Sequence, residues 1–381
     1  MTAGPLEGLV VADFSRILAG PLATQTLADL GARVIKVERP GVGDDTRAWG
    51  PPFREGVATY FSAVNRGKES IALDLRDPAD VMVARRLADR SDVLVENYRP
   101  GLMEDFGLGF ERLSQRNRGL VYCSISGFGD EGEGAEIPGV DLLIQAMAGW
   151  MHVTGHPDGP PTKVGMAVVD VIAGLYVTSG LLAALVRRGS NGGVGQRVHV
   201  SLYEAALAGL VNLAAGHLLA SDDPRRDGNR HPSIAPYELF RAADRSFVLA
   251  AVNDRLFVRT CEAIGRPELA ADPRFDTNPH RRANVDTLRE ELERTFATRR
   301  ASEWVRILRT RRVPAGDVNS VAEAFALAER LGLDSVIVDE ATGSRALRSP
   351  IALSASKTVP HTRAPALDAD GDAIRRWLDD R

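Results

Sequence analysis

The 381-residue chain is predicted to form an α/β fold, with a helix-covered parallel sheet and a smaller α+β domain. Over the first 200 residues, short runs rich in Val and Ile alternate with helical stretches, which is typical of βαβ units. A polar, Pro- and Gly-containing segment at 221–234 ends this alternation. We therefore predict a large domain over 1–220, a linker over 221–234 and a small domain over 235–318. Residues 319–381 are predicted to form a second linker and return to the large domain.

Local signals define the elements of the large domain. A helix is predicted over Pro78–Ala88 because Asp77 is a good N-cap residue and proline suits the first helical position. Gly31 is a favourable C-cap for a helix over Pro21–Leu30. The predicted strands are Gly8–Phe14, Arg33–Glu38, Ser70–Leu75, Asp92–Glu96 and Leu120–Ser126.

Two long apolar helices are predicted next, over Val171–Val186 and Leu202–Leu219. The first has 16 uncharged residues and would be about 24 Å long, shorter than the roughly 30 Å hydrocarbon core of a membrane. It is therefore predicted to be a buried helix that follows a short apolar strand. The predicted elements of the small domain are the strand Ser246–Val252 and the helices Arg255–Ile264, Arg282–Phe296 and Ser302–Arg311.

Composition narrows the functional classes. The formal net charge of −4 gives no electrostatic basis for binding nucleic acid or a membrane surface. Cys123 and Cys261 are the only cysteines and form neither a metal-ligand cluster nor a disulfide framework. The N-terminal segment shows no export signal, so we expect a cytoplasmic protein without a metal.

Common cofactor and catalytic motifs are missing. The turn after the first strand lacks G-x-G-x-x-G, and Pro21 removes an N–H that a pyrophosphate would need, which disfavours nicotinamide binding. His152 and His156 lie in a Gly- and Pro-containing segment and are not expected to bind zinc. The Gly-rich acidic segment 128–140 is interpreted as a plain surface loop, with a mobile flap as the alternative.

Asp170 is a lone carboxylate between an apolar strand and an apolar helix. One interpretation is an N-cap, a role that Asp fills well. The other is a nucleophile placed where free backbone N–H groups of the helix start hold a developing oxyanion. The two interpretations are compatible.

Several long segments in the same order resemble the family III coenzyme A transferases, which also include the α-methylacyl-CoA racemases. The resemblance covers nearly the whole chain. Its segments are DFSRILAGPLATQTLADLGARVIKVERPGVGDDTR (13–47), NRGKESIALDLR (65–76), DVLVENYRPG (92–101), SISGFG (124–129), GVDLLIQAMAGWMHVTGHPDGPPTKVGMAVVDVIAG (139–174), GGVGQRVHVSLYEAAL (192–207) and VPAGDVNS (313–320).

This resemblance implies a Rossmann-like large domain formed by both chain ends, a small middle domain, and an interlocked homodimer in which the active site needs both chains. It also implies that coenzyme A, bound as an acyl-CoA, is transferred to a carboxylic acid without a metal. Asp170 would be the catalytic nucleophile, forming aspartyl anhydride and aspartyl-CoA thioester intermediates.

The resemblance assigns further roles by position. The residues implied to contact coenzyme A are Leu18, Ala19, Arg39, Leu73, Arg76, Asn97, Tyr98 and Arg99. Weaker candidates for substrate or phosphate binding are Arg47, Trp49, Lys68, Val140 and Asp141. Trp49 and the apolar residues Met147, Trp150 and Met151 hint at a hydrophobic acyl pocket, although they fit a protein core equally.

Departures from the family pattern separate its branches. Racemases carry a histidine at the position of Val140 and a glutamate in the segment of Asn253, and neither residue here can transfer a proton. Oxalate-type transferases have glutamine at Leu18 and tyrosine at Val140, so oxalate is disfavoured as a substrate. Asp105 stands where many members have a basic residue, which removes one expected phosphate contact. The alternatives are a racemase or epimerase and a non-catalytic CoA-binding subunit.

Overall fold

The computed structural model describes residues 4–54 and 56–380. The first three residues of the segment inspected for an export signal lie outside the described residues. The chain divides into two compact units, each made of separate stretches of sequence. The first unit comprises Met1–Trp150, Lys163–Asp223 and Gly332–Arg381, and the second comprises Met151–Thr162 and Pro224–Leu331. The second unit therefore includes 151–162 and 319–331, which differs from the predicted domain boundaries.

The first unit contains a six-stranded, fully parallel sheet, which confirms the predicted α/β fold with a large parallel sheet. Its strands in chain order are β1 (Val10–Asp13), β2 (Arg33–Glu38), β5 (Lys68–Ala72), β6 (Val93–Glu96), β7 (Val121–Ser126) and β8 (Arg197–Ser201). Their spatial order is β5-β2-β1-β6-β7-β8. Two-stranded ribbons are formed by β3 (Phe53–Arg54) with β4 (Val57–Ala58) and by β12 (Val336–Val338) with β13 (Arg345–Leu347).

Helices cover both faces of this sheet. Successive side chains of a strand point to opposite faces, and in these strands both sets are largely apolar and need a covering layer. Val11 of β1 belongs to one hydrophobic core cluster and the adjacent Ala12 belongs to the other. The helices of this unit are α1 (Ala19–Asp29), α2 (Thr59–Asn65), α3 (Pro78–Asp89), α4 (Leu102–Asp105), α5 (Phe110–Arg116), α6 (Gly132–Ala135), α7 (Asp141–Met147), α9 (Val168–Ser190), α10 (Leu202–Gly209), α11 (Asn212–Ala220) and α18 (Gly371–Asp379). A four-residue 3₁₀ helix covers Asp45–Ala48, and the short helix α8 (Trp150–Val153) crosses the boundary between the units.

Two helix predictions near the predicted nucleophile need correction. The predicted helix Leu202–Leu219 is two helices, α10 and α11, bent by 82° at Val211, whose φ is +45°. Apolar composition alone does not reveal this break. The other predicted helix begins earlier than expected, at Val168, and the described residues directly before it form no strand, so the predicted short strand is wrong. Asp170 is therefore not the N-cap but lies in the first helical turn of α9.

The helix α9 is long and apolar enough by composition to cross a membrane, as the bent pair α10 and α11 would be if taken as one span. Its buried face includes Val169, Ala173, Val177 and Leu181, which belong to the core cluster on that face of the sheet. At Gly174 an added Cβ would lie 2.8 Å from the carbonyl oxygen of Ala19, so α1 and α9 pack at a distance that only glycine permits. This packing places the start of α1 beside the start of α9.

The second unit has its own core around three antiparallel strands. They are β9 (Tyr237–Arg241), β10 (Ser246–Ala250) and β11 (Ala315–Asp317), in the order β11-β10-β9. The helices are α12 (Asp254–Ala263), α13 (Glu268–Ala271), α14 (Asn278–Ala283), α15 (Val285–Phe296), α16 (Ala301–Thr310) and α17 (Val321–Arg330). Asn253 is the N-cap of α12, where its side chain accepts a hydrogen bond from the Leu256 N–H.

Buried ion pairs fix the strand ends that carry the candidate site. The Lys68 ammonium lies 2.8 Å from the Asp13 carboxylate at the end of β1, and both side chains are fully buried. A second pair, Lys36 with Asp44, is fully buried as well. The Lys36 ammonium lies 3.0 Å from Asp44 and also donates to the Ser15 carbonyl at 2.8 Å. Burial alone would raise the pKa of Asp13, but the ammonium groups of Lys68 and Lys36 outweigh it and lower the pKa to about 2.

Candidate active site

A cavity of about 840 Å³ opens in the first unit at the carboxyl ends of β1, β6 and β7. This is the edge of a parallel sheet where ligands usually bind. The starts of three helices border the cavity, at Leu18 and Ala19, at Val140 and Asp141, and at Ala167 and Asp170. Nine of the fourteen predicted site residues line it: Leu18, Ala19, Trp49, Asn97, Tyr98, Arg99, Val140, Asp141 and Asp170.

Asp170 is a carboxylate without a structural partner. It is 9% exposed and lines the cavity. Among the described residues, none donates a hydrogen bond to its carboxylate and no cation lies within ion-pair distance. Four other buried carboxylates of this unit have cationic partners: Asp13 with Lys68, Asp29 with Arg66, Glu38 with Arg47 and Asp44 with Lys36. Glu96 is buried as well and accepts a hydrogen bond from the Tyr98 N–H, whereas no described group donates to Asp170. The Asp170 carboxylate is therefore available to react.

Asp141 holds the start of α9 in place. One of its oxygens accepts hydrogen bonds from the backbone N–H groups of Val169, at 2.9 Å, and Asp170, at 3.4 Å. The other oxygen accepts from the Gln145 side-chain amide at 2.6 Å. The expectation that free N–H groups of this helix start would hold an oxyanion is therefore wrong for Val169 and Asp170, because Asp141 already uses them.

The start of α1 has unused donors instead. No described residue accepts a hydrogen bond from the backbone N–H of Ala19 or Gly20. The next residue, Pro21, has no N–H. Ala19 lines the cavity together with Asp170, and its carbonyl lies close to Gly174 of α9, so the first of these donors belongs to a residue at the same edge of the cavity as Asp170.

Burial and the nearby Asp141 charge raise the pKa of Asp170 from 3.8 to about 7. Both effects disfavour the ionised form. Asp170 therefore titrates close to neutral pH, which is a common property of reactive groups in active sites.

The loop that carries Ile17, Leu18 and Ala19 into the cavity is strained. Ile17 has a φ of +70°, which is unfavourable for a β-branched residue. Its N–H donates to Asp44, at 3.2 Å to the nearer oxygen. The Asn97 side chain pairs with the backbone of Arg16 through two 2.8 Å hydrogen bonds, accepting from its N–H and donating to its C=O. Asn97, which was predicted to contact coenzyme A, thus uses its amide to hold this loop.

Lys68 and Arg47 are corrections to the predicted set. The Lys68 ammonium is fully buried and donates to Asp13, to the Pro21 carbonyl and to Asn65, so no N–H remains for a substrate. The Arg47 guanidinium forms two hydrogen bonds with Glu38, at 2.8 and 2.7 Å, and one with the Pro365 carbonyl. Neither residue lines the cavity. Each one instead pairs with a carboxylate at the end of a sheet strand, Lys68 with Asp13 of β1 and Arg47 with Glu38 of β2.

The other three predicted residues outside the cavity are Arg39, Leu73 and Arg76. Arg39 is half-exposed and pairs with Asp45, while Arg76 is largely exposed and lies 3.2 Å from Asp74. The Leu73 side chain is buried, so only its backbone could contact a ligand. Their roles toward coenzyme A stay predictions.

Arg99 lines the cavity and has a competitor for an anionic ligand. Its guanidinium lies 3.7 Å from the Asp105 carboxylate, and both side chains are exposed. Asp105, the departure noted in the sequence, thus partly neutralises the charge of a residue that was predicted to contact coenzyme A.

Sequence reasoning missed several cavity residues. Tyr60 faces Trp49 edge-on, with ring centroids 5.7 Å apart. Burial, together with the charges of Asp170, Asp141 and Asp44, raises the pKa of Tyr60 to about 12, so its hydroxyl stays protonated. Residues 135–140 also line the cavity, which corrects their interpretation as a plain surface loop. None of the quoted family segments includes Tyr60 or residues 135–138, whereas Gly139 and Val140 belong to the segment 139–174.

Lys163 is another cavity residue that was not predicted. It is one of only four lysines in the chain, and it belongs to the quoted segment 139–174 without having been singled out. The scarcity of lysine was the available signal.

Comparison with known proteins defines the class of protein. The model of the CoA-transferase family III matches residues 6–371. The chain therefore belongs to this family and is a CoA-transferase enzyme, as the sequence resemblance predicted.

Individual relatives agree with this assignment. The chain is 42% identical to an acetyl-CoA:oxalate CoA-transferase of Acetobacter aceti, over 98% of this chain and 95% of that protein. It is 39% identical to a succinate–glutarate CoA-transferase of Agrobacterium fabrum, over 95% and 89% of the two chains. A CAIB/BAIF family protein from Brucella suis superimposes with a TM-score of 0.88 at 41% identity, with both chains covered completely.

Replacing Asp141 tests the electrostatic coupling in the site. The Asp170 pKa near 7 predicts that kcat/KM for CoA transfer falls as the pH drops through about 7, because the reactive form is ionised. Asp141→Asn keeps an oxygen that can accept from the Val169 N–H but removes the negative charge. We expect this acidic limb to move to lower pH by roughly half a unit to one unit. Glu136→Gln, which changes another cavity carboxylate, is the matched control, and an unmoved limb in Asp141→Asn would refute the coupling.

Replacing Asp170 should stabilise the folded protein. The folded-state pKa exceeds the unfolded value, so above pH 7 the fold holds a charge that costs up to about 4 kcal/mol, at about 1.4 kcal/mol per pKa unit. We expect Asp170→Asn to raise the urea midpoint at pH 8, with the gain shrinking as the pH falls toward 4. Mass spectrometry excludes deamidation of the variant. A gain that does not depend on pH would contradict the assigned charge penalty.

Proposed function

We propose that Asp170 transfers coenzyme A through covalent aspartyl intermediates. The observation that carries the proposal is that this carboxylate lines the cavity and lacks any described hydrogen-bond donor or cation. An ionised oxygen with no structural role is a competent nucleophile, and covalent catalysis divides a difficult exchange into easier steps.

The chemistry balances without another reactant. An Asp170 oxygen attacks the thioester carbonyl of the donor, the C–S bond breaks, and CoA thiolate leaves an aspartyl–acyl anhydride. The thiolate attacks the aspartyl carbonyl and releases the donor acid, which gives an aspartyl-CoA thioester. The acceptor carboxylate then attacks that thioester, forming a second anhydride and freeing the thiolate. The thiolate finally attacks the acceptor-derived carbonyl, which regenerates Asp170 and yields the new acyl-CoA.

Each step passes negative charge through a carbonyl oxygen. The free N–H groups of Ala19 and Gly20 are suitable donors to this oxygen, and the positive end of the α1 helix dipole favours the same charge. The protonated hydroxyl of Tyr60 is a third available donor on the cavity wall.

Val140 and Asn253 remain arguments against a racemase, because neither side chain can transfer a proton at the α-carbon. The two relatives named above act on oxalate, succinate and glutarate, which are small dicarboxylic acids. These acids are the first compounds to test, although Leu18 and Val140 disfavour oxalate.

Hydroxylamine trapping tests the covalent route. The protein is mixed briefly with single acyl-CoAs and hydroxylamine, and its peptides are analysed by mass spectrometry. We expect a hydroxamate on Asp170, formed only with acyl-CoAs that are donors. Freshly purified Asp170→Asn should lose CoA exchange by at least about 10³-fold. CoA exchange without any label on Asp170, or full activity in the variant, would refute the mechanism.

We also propose that two chains form a homodimer. The helix α11 has no buried residue, and its Leu218 and Leu219 side chains are 79% and 87% exposed. Exposed apolar side chains on one helix are typical of an interaction surface.

The molar mass in solution tests the homodimer. Light scattering coupled to size exclusion should give twice the chain mass, and the double variant Leu218→Glu, Leu219→Glu should lower this mass toward that of one chain. A monomer at micromolar concentration would refute the proposal. Interlocking, cytoplasmic location and the absence of nucleic-acid and membrane partners stay predictions.

A further inference from the structure

We propose that Lys163 binds the distal carboxylate of a dicarboxylic substrate in the Asp170 cavity. The inference rests on the proposed function and adds a substrate class to it. One carboxyl group of the substrate would exchange coenzyme A at Asp170, while the other would pair with the Lys163 ammonium.

Lys163 brings a positive charge that no described residue neutralises. Its side chain lines the cavity, and its ammonium donates to the Val164 carbonyl at 3.0 Å and the Gly165 carbonyl at 3.1 Å. No described carboxylate lies within 4.0 Å of it. Lys36 and Lys68, in contrast, are buried against aspartates. An ammonium has three N–H donors, so one remains for a ligand of Lys163.

The backbone beside Lys163 is fixed by the residues that also position Asp170. The Val164 N–H donates to the side-chain oxygen of Gln145 at 2.9 Å, and the amide of Gln145 donates to Asp141 at 2.6 Å. Asp141 in turn accepts from the Val169 N–H. Gln145 is fully buried. The stretch between Lys163 and Asp170 is therefore anchored at both ends to α7. These bonds hold the backbone of Lys163 in a constant place relative to the Asp170 carboxylate.

The remaining lining explains why this charge selects a substrate. Arg99, the other basic side chain among the described lining residues, already faces Asp105. Much of the wall is apolar, including Trp49, Val140 and Leu142. A carboxylate taken into such a cavity needs a cation to offset its lost hydration. A monocarboxylic acyl group makes no use of the ammonium, whereas a dicarboxylic one does.

Glu136 also lines the cavity and would favour a substrate with a distal cation. The charge of the distal group is therefore the quantity to vary. We would compare succinyl-CoA with butyryl-CoA and glutaryl-CoA with valeryl-CoA, pairs that match in chain length and differ in the distal carboxylate. A 4-(trimethylammonio)butyryl-CoA supplies the cationic case. The same acids serve as acceptors in the reverse comparison.

The variants are Lys163→Met, Lys163→Arg and the control Lys357→Met, an exposed lysine outside the cavity. We expect the unmodified protein to prefer the dicarboxylic member of each pair. Lys163→Met should lower kcat/KM for that member by about 10- to 100-fold, the usual effect of losing a charged hydrogen bond. Its kcat/KM for the monocarboxylic member should stay within about twofold, which shows that the variant is folded and still binds coenzyme A. Lys163→Arg should retain part of the preference, and Lys357→Met all of it.

The outcomes separate the inference from the function beneath it. An equal loss with both members of a pair, an unchanged preference, or an initial preference for the monocarboxylic or cationic substrate would overturn the role of Lys163. The covalent CoA transfer would stand in those cases, provided that Asp170 is labelled. If no acyl-CoA of any charge labels Asp170 or exchanges coenzyme A, the proposed function itself fails.

Discussion

Two fully buried ion pairs, Asp13 with Lys68 and Lys36 with Asp44, are the interactions on which the geometry of the site depends. Removing charges from water is costly, so such pairs persist only when their remaining donors and acceptors are satisfied. Here the additional bonds go to the chain that leaves β1. Lys36 holds the Ser15 carbonyl, and Asp44 holds the Ile17 N–H. The network thereby imposes the positive φ of Ile17 and aims the start of α1 at the cavity.

Asp170 shows the opposite electrostatic arrangement. The structural carboxylates beneath the cavity are paired with cations, whereas Asp170 is buried next to another carboxylate, Asp141. The site therefore carries an unfavourable charge that the rest of the fold has to hold. This is a common relation between stability and function, because a reactive group cannot also be fully stabilised by its surroundings. Asp141 contributes both to stability and to reactivity. It orders the start of α9 through hydrogen bonds, and its charge destabilises the ionised form of Asp170.

The alternating pattern of the sequence was sufficient to predict the parallel sheet, and the family motifs identified most of the cavity wall. The predictions failed where the partner of a side chain decides its role. Lys68 and Arg47 looked like substrate-binding cations because their partners were not visible in the sequence. Asp13, the partner of Lys68, is 55 residues away. Glu38, the partner of Arg47, lies on a strand, and the sequence did not show to which face its side chain points. Asp170 looked like an N-cap because it is the carboxylate nearest in sequence to the apolar helix. The carboxylate that accepts from the first N–H groups of α9 is Asp141, which lies 29 residues earlier in the chain.

The open edge of the sheet is closed by residues far along the chain. At β5, one of the two edge strands, the N–H groups of Ser70 and Ala72 donate to the side chains of Asp370 and Asp368. These contacts keep the strand from pairing with another molecule. They also span about 300 residues of sequence, so this edge stays uncovered during translation until the segment from 368 has left the ribosome. During most of its synthesis the nascent chain therefore lacks the segment that caps these N–H groups, and an uncapped strand edge can pair with another chain.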